Sequence, residues 1–344
     1  VGKSSTVEVF GKGYFNQVHT INFERDKSLG EIFKRNLDPV RIIQELEVAV
    51  NSKINVGQDL LFFDEIQECP EAISSLRYFY EEMQKLHIIS AGSLLEFSLG
   101  ESSFPVGRVN YLFMYPLSFS EFLNATGRNN LVEYLPNLTT KTVSSEFILT
   151  KIYDALKEYF IVGGMPQAVD KFVDTKSYID VRNIHEDILQ SYKDDIPKYC
   201  TGEMQIANLS RTFDSVFKFV GTQINYTKLG NGDSSVRTKA SLSLLEKALI
   251  CHKVRTALPS ALPLGAAASE KRFKELFLDI GLGQTAAGLP IENVLQSKNL
   301  LATYDGKLAE QFVGQQLLAE SDIASEGKNI FCWIRAERSS SAEI

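Results

Sequence analysis

With 344 residues the chain is too long for one compact core and implies two or three domains. Its make-up, 44% hydrophobic and 23% charged with 22 Phe and 13 Tyr, is that of an ordinary globular protein with ample core material. The net charge of −7 argues against a protein devoted to coating nucleic acid, and no apolar run is long enough to span a bilayer.

The first 115 or so residues alternate short apolar runs with helical patterns, as expected for an α/β domain on a parallel sheet. VHTINF (18–23) reads as a strand. DPVRIIQELEVAV (38–50) reads as a helix capped by Asp38 and started by Pro39. DLLFFDE (59–65) is a continuous apolar run ending in two carboxylates, the pattern of a buried central strand. PEAISSLRYFYEEMQ (70–84) is the next helix and LHIISAGS (86–93) the next strand. VNYLFMYPLSFSEFL (109–123) starts as a strand and turns helical after Pro116.

The pattern then becomes mainly helical, with FILTKIYDALKEYFIVGG stopped by Gly163 and Gly164. MPQAVDKFV and YIDVRNIHEDILQSYKDDIPKY are further helices. From Met204 to Ser260 eight basic residues meet three acidic ones, a local +5 that leaves −12 for the rest. This basic segment reads helix, turn, helix, strand (RTFDSVFKFVGTQI, GNGD, VRTKASLSLLEKALI, CHKVRTAL). FKELFLDIGLG (273–283) closes it as a strand or short helix, and YDGKLAEQFVGQQLLAES and NIFCWIRAE follow as helix and strand. Cys69, Cys200, Cys251 and Cys332 are far apart, as are His19, His87, His185 and His252. Neither set has metal-ligand spacing, and the thiols are expected to be reduced core residues of a cytoplasmic protein.

A strand ending in Asp64-Glu65 delivers both carboxylates to the carboxyl edge of a parallel sheet, where ligands of such folds bind. Asp64 is then placed to hold Mg²⁺, directly or through water, and Glu65 to orient or deprotonate an attacking water. The plainer alternative is a strand that ends in solvated acids. The opening VGKSS supplies a matching half. Lys3 after Gly2 can reach β- and γ-phosphates, Ser4 can ligate Mg²⁺, and with Ser5 they start a helix whose N–H groups favour phosphate. Either motif alone is short enough to arise by chance. Together they point to a nucleotide site with Mg²⁺.

LLFFDEIQECPEAISSLRYF, IISAGSLLEF and FPVGRVNYLFMYPLSFSEFL resemble a large group of prokaryotic AAA-type P-loop ATPases. These carry an uncharacterised C-terminal region and, usually, a restriction-endonuclease-like end. YFIVGGMPQAV, FLDIGL and SSSAEI match in type and order, so the resemblance covers nearly the whole chain. It implies an α/β P-loop ATPase core with Walker A and Walker B motifs over 1–126 and a helical lid over 127–200. A winged-helix-like domain over 201–285 and a partial nuclease-like α/β domain over 286–344 complete the implied order. By the same resemblance Ser93 stands where the γ-phosphate sensor lies. Arg108 stands where an arginine finger acts, in cis or from a neighbour in a homo-oligomer. Gly164 and Pro166 in GGMP resemble an element laid against adenine, though a helix stop followed by a Pro-started helix needs the same residues.

In the winged-helix segment Val236, Leu242, Leu245 and Leu249 are expected to be buried, leaving Ser235, Arg237, Thr238 and Lys239 exposed. Those residues suit phosphate contacts to DNA, while a packing or lid role needs none. Glu310 and SSSAEI resemble the opening of a Mg²⁺-dependent nuclease core whose further carboxylates this sequence does not contain. Both ends of the chain read as trimmed in mid-motif, with the phosphate loop disordered for want of nucleotide. The expectation is a cytoplasmic ATP/ADP switch without membrane association, acting on an unidentified protein partner. The alternatives are an ATP-dependent nucleic-acid-processing protein and a nucleotide-binding scaffold.

Overall fold

The computed structural model describes residues 2–92, 107–139, 141, 144–200, 202–219, 221–230, 232–257, 264–300, 304, 306–320, 330–337 and 340–343. The chain divides into two compact units, residues 2–112 and 113–344.

In the first unit α1 (Lys3–Tyr14), β1 (Val18–Asn22), α2 (Glu31–Lys34), α3 (Pro39–Ala49), β2 (Leu60–Asp64), α4 (Pro70–Glu82) and β3 (His87–Ser90) follow in chain order. The run LLFF offers apolar side chains to both faces, so it can be covered on both, and every residue of β2 is buried. It takes the middle of a parallel sheet of order β1-β2-β3, with Asn22 opposite Asp64 and Ser90 opposite Phe63. α3 starts as its sequence implies, with Pro39 in the first turn and Asp38 Oδ1 accepting the Val40 N–H at 3.0 Å. Phe23, Phe33 and Phe63 meet edge to face with centroids 5.6, 5.7 and 5.7 Å apart. This cluster packs around Phe63, the residue immediately before Asp64.

At the opposite end of β1 and β2 the buried His19 and Asp59 side chains pair at 3.2 Å. Burial works against the Asp59 charge, but hydrogen bonds from Asn55 and His19 outweigh it and hold the carboxyl below its usual value. Residues 109–115 do not form the strand expected of them. A strand needs a hydrogen-bonded neighbour, and among the described residues no strand pairs with them.

The second unit opens with α5 (Phe119–Ala125), α6 (Asn129–Tyr134), α7 (Glu146–Val162), α8 (Pro166–Thr175) and α9 (Tyr178–Asp195). Then come α10 (Glu203–Val216), β4 (Gln223–Ile224), α11 (Tyr226–Leu229), α12 (Ser235–Lys247), β5 (Cys251–Thr256) and β6 (Ser269–Phe277). α13 (Ile280–Ala286), α14 (Ile291–Leu295), α15 (Lys307–Glu320) and β7 (Phe331–Cys332) follow. The sheet order is β4-β6-β5-β7, antiparallel except for the β5–β7 pair. β8 (Ile334–Glu337) and β9 (Ser340–Glu343) pair as a separate antiparallel ribbon. One apolar core runs from Phe122 and Tyr159 through Phe213 and Leu242 to Phe273 and Phe277.

β6 also carries an acid into this unit. Glu275 is fully buried, and neither carboxylate oxygen has a hydrogen-bond partner. Burial pushes the carboxyl well above its ordinary value of 4.5, the charge of Glu246 adds to this, and Cys251 and Lys253 oppose it only in part. Above pH 4.5 the unfolded chain therefore releases a proton that the folded chain keeps. Stability must fall as pH rises, by about 1.4 kcal/mol per pH unit for one proton, until the folded group titrates as well. Glu275→Gln removes this proton linkage. Thermal melts should show the variant more stable than the parent at neutral pH, with a flatter pH profile on the acid side. Identical profiles would mean that Glu275 ionises in the folded protein.

Candidate active site

α1 begins after Gly2, whose φ of 72° lies in the left-handed region that glycine enters without strain. The helix can lie close on β1 and β2 because Gly11 has no side chain. A Cβ there would stand 2.4 Å from Val18 Cγ2 and 3.1 Å from Leu60 Cδ2. This approach brings the first turn of α1 to the carboxyl end of β2, where Ser4 Oγ donates to Asp64 Oδ1 at 2.9 Å. Lys3, in the same turn, is half-buried.

Asp64 is only 7% exposed and has two further donors, Asn22 Nδ2 at 3.0 Å and the Glu65 N–H at 3.2 Å. Asn22 is itself held, because its Oδ1 accepts the Glu24 and Arg25 N–H groups at 3.1 and 2.8 Å. Glu65 then leaves the strand with φ 50° and ψ 44°. A non-glycine residue in that region costs on the order of 1–3 kcal/mol and persists only where its surroundings impose it. Here the surroundings are the backbone on either side: Ala91 N–H to Phe63 O at 2.8 Å and Ile66 N–H to Ala91 O at 3.0 Å. The Glu65 carboxylate is half-buried, and Gln67 Nε2 donates to its Oε2 at 2.6 Å.

The Ser4 hydroxyl and the Asp64 carboxylate are hard oxygen donors converging on one point, the chemistry that Mg²⁺ takes. Among the described residues no group of three or more His, Cys, Asp or Glu side chains could hold a metal by itself. A Mg²⁺ ion at Ser4 and Asp64 would therefore complete its shell from water and phosphate oxygens, as this ion ordinarily does beside a nucleotide.

The other expected site residues are placed as follows. Ser93 lies outside the described residues. Arg108 is engaged with α4, its Nε and Nη2 each 3.1 Å from Glu81 Oε1, and Arg77 Nε also reaches that oxygen at 3.1 Å. The Arg77 hydrogen bond is the main reason that Glu81 titrates below its ordinary value, with Arg108 adding to it. In the second unit both backbone groups of Gly164 are occupied, the N–H by Asp279 Oδ2 at 2.6 Å and the carbonyl by the Leu117 N–H at 2.7 Å. Pro166 starts α8 in its first turn.

On α12 Arg237 and Lys239 are exposed as expected, but Thr238 is 1% exposed and Val236 75% exposed, the reverse of the expectation. The cause is helical phase. Thr238, Leu242 and Leu245 recur at the spacing of one helix stripe, whereas Val236 lies off it. Leu249, also expected to be buried, falls past the end of α12 with φ 55° and is 39% exposed. Glu310 accepts from Lys274 Nζ at 2.7 and 2.9 Å, so it neutralises an ammonium on a residue that is 6% exposed.

Two residues at the site escaped the sequence reading, Asn22 and Gln67. The signal for Asn22 was a polar residue at the end of an apolar strand, and for Gln67 an amide two places after Asp-Glu. Neither says which side chain it will reach.

A parallel sheet flanked by helices, with the first turn of a Gly-Lys-Ser helix hydrogen-bonded to the aspartate that ends its central strand, is consistent with a P-loop nucleotide-binding domain. In agreement, residues 1–123 match the AAA domain family, which supports an AAA-type P-loop ATPase domain at the N-terminus. Residues 153–293 match a domain of unknown function, DUF8612. No curated protein matches the chain significantly. Among the described residues no helix is long and apolar enough to cross a membrane.

Proposed function

We propose that the protein binds ATP with Mg²⁺ in its first unit and hydrolyses it slowly, as a molecular switch. The observation that carries this reading is the 2.9 Å bond from Ser4 to Asp64, which joins the two halves of the site across 60 residues of sequence. Lys3 reaches the β- and γ-phosphates, and the N–H groups of the first turn, Ser5 included, face them with the positive end of the helix dipole. Ser4 and Asp64 hold Mg²⁺, which when bound offsets charge on the β- and γ-phosphate oxygens. Glu65 orients the attacking water and accepts its proton as the water oxygen bonds to phosphorus and ADP departs. Ser93 and Arg108 respond to the γ-phosphate, and Arg108 must part from Glu81 to do so.

The order α10, β4, α11, α12, β5, β6 supports a winged-helix reading of that segment, with Thr238, Leu242 and Leu245 turned inward. The exposed Arg237 and Lys239 favour a second reading, in which α12 touches DNA phosphates. The Lys274–Glu310 pair favours a structural role for Glu310 over a nuclease site.

The test is phosphate release from ATP by the full-length protein with and without Mg²⁺, and with and without duplex DNA at low and high salt. Slow Mg²⁺-dependent turnover is expected, with Lys3→Ala weakening ATP binding by about tenfold or more through loss of a charged phosphate contact. A parent protein that binds no nucleotide would overturn the ATPase reading. Lack of any salt-sensitive DNA binding would remove the second one.

A further inference from the structure

Gln67 lies on the single turn Ile66–Glu68 that follows Glu65. Its two amide ends are in opposite circumstances. Nε2 donates to Glu65 Oε2 at 2.6 Å, at the short end for a bond to an ionised acceptor, while Oε1 is buried without any hydrogen-bond partner. Leaving a buried acceptor unpaired costs about 1–3 kcal/mol, so something must hold the amide this way round. The Glu65 carboxylate does so, because turning the amide over would set Gln67 Oε1 against a negative charge.

We infer that Gln67 is the positioning residue of Glu65. It holds one carboxylate oxygen so that the other faces the water and takes its proton. The proton passes from water to the Glu65 carboxylate and returns to solvent after phosphate and ADP leave. The catalytic meaning rests on the ATPase reading, whereas the Glu65–Gln67 contact does not.

The test uses two variants and two measurements on the full-length protein. Gln67→Leu removes both amide ends, and Gln67→Glu keeps the shape but loses the donor. Both should lower kcat by on the order of 10- to 100-fold with KM and ATP affinity little changed. Gln67→Glu should recover at lower pH, where the two acids can share a proton, and Gln67→Leu should not. The side-chain amide NMR signals of Gln67, identified by their loss in Gln67→Leu, should move when Glu65 is replaced by Ala, without nucleotide. If Gln67→Leu does not fold, Gln67→Glu serves for both the assignment and the kinetics. Amide signals indifferent to Glu65→Ala would overturn the contact, whether or not the protein hydrolyses ATP. Variants with the parental kcat would overturn the positioning role. A parent without turnover would defeat the ATPase reading, and the NMR result then decides the contact on its own.

Discussion

Glu65→Gln is expected to lower ATP turnover by about 100-fold or more while ATP binds as tightly as to the parent protein. The split follows from the division of labour at the end of β2. Asp64 is the residue that meets α1, through Ser4, and it is also held by Asn22 and the Glu65 N–H. Replacing Glu65 leaves these three bonds in place, so the phosphate and Mg²⁺ contacts proposed to rest on them should be undisturbed. What the proposed mechanism loses is the acceptor for the proton of water, since an amide has no basicity of use near neutral pH. The left-handed backbone at Glu65 tolerates glutamine as well as glutamate, and Gln67 can still bond to an amide oxygen. Asp64→Asn is the contrasting variant, with the loss falling on Mg²⁺-dependent binding. Nucleotide titration and single-turnover phosphate release separate the two. Parental turnover by Glu65→Gln would remove Glu65 from the mechanism.

The two carboxylates were legible in the sequence because a fully buried strand advertises itself. LLFF has no polar interruption, and a run of that kind has few places to go except the middle of a parallel sheet. The capped start of α3 was legible for the same local reason, since Asp38 and Pro39 act within a turn of each other. What failed to show were contacts whose partners are set by the sheet register or by a single side-chain torsion. Asn22 reaches Asp64 only because β1 and β2 pair with those residues opposite. Gln67 reaches Glu65 only because the chain bends through an unusual φ. On α12 the composition was read correctly and the phase was not. Val236 has the right chemistry for a core, but its position on the helix turns it outward, and Thr238 takes the inner place. Hydrophobicity there predicts the number of buried positions better than their identity.

Gly164→Ala is expected to destabilise the second unit by more than about 3 kcal/mol, a large share of the stability of a typical domain and enough to lower its melting temperature by several degrees. A Cβ at this position would stand 2.1 Å from Leu117 O, 2.7 Å from Leu117 N and 2.9 Å from Leu117 C. These are backbone atoms, and they are pinned. The Leu117 N–H donates to Gly164 O at 2.7 Å, and Leu117 O accepts from Tyr159 Oη, also at 2.7 Å. Relief of the clash would have to come from moving Gly164, which breaks its 2.6 Å bond to the buried Asp279. That carboxylate would keep the Leu282 N–H at 2.9 Å and Gln315 Nε2 at 3.0 Å, and the loss of a third bond to a charged group costs about 1.5–3 kcal/mol. Gly202→Ala, where nothing lies within 4 Å of the added carbon, is the control and should cost no more than about 1 kcal/mol as a changed helix cap. The comparison also decides what the GGMP segment is for. A packing junction predicts that the lesion appears in thermal melts without nucleotide. A ligand-binding role predicts normal melting and weakened ATP binding, and that pattern would displace the structural explanation.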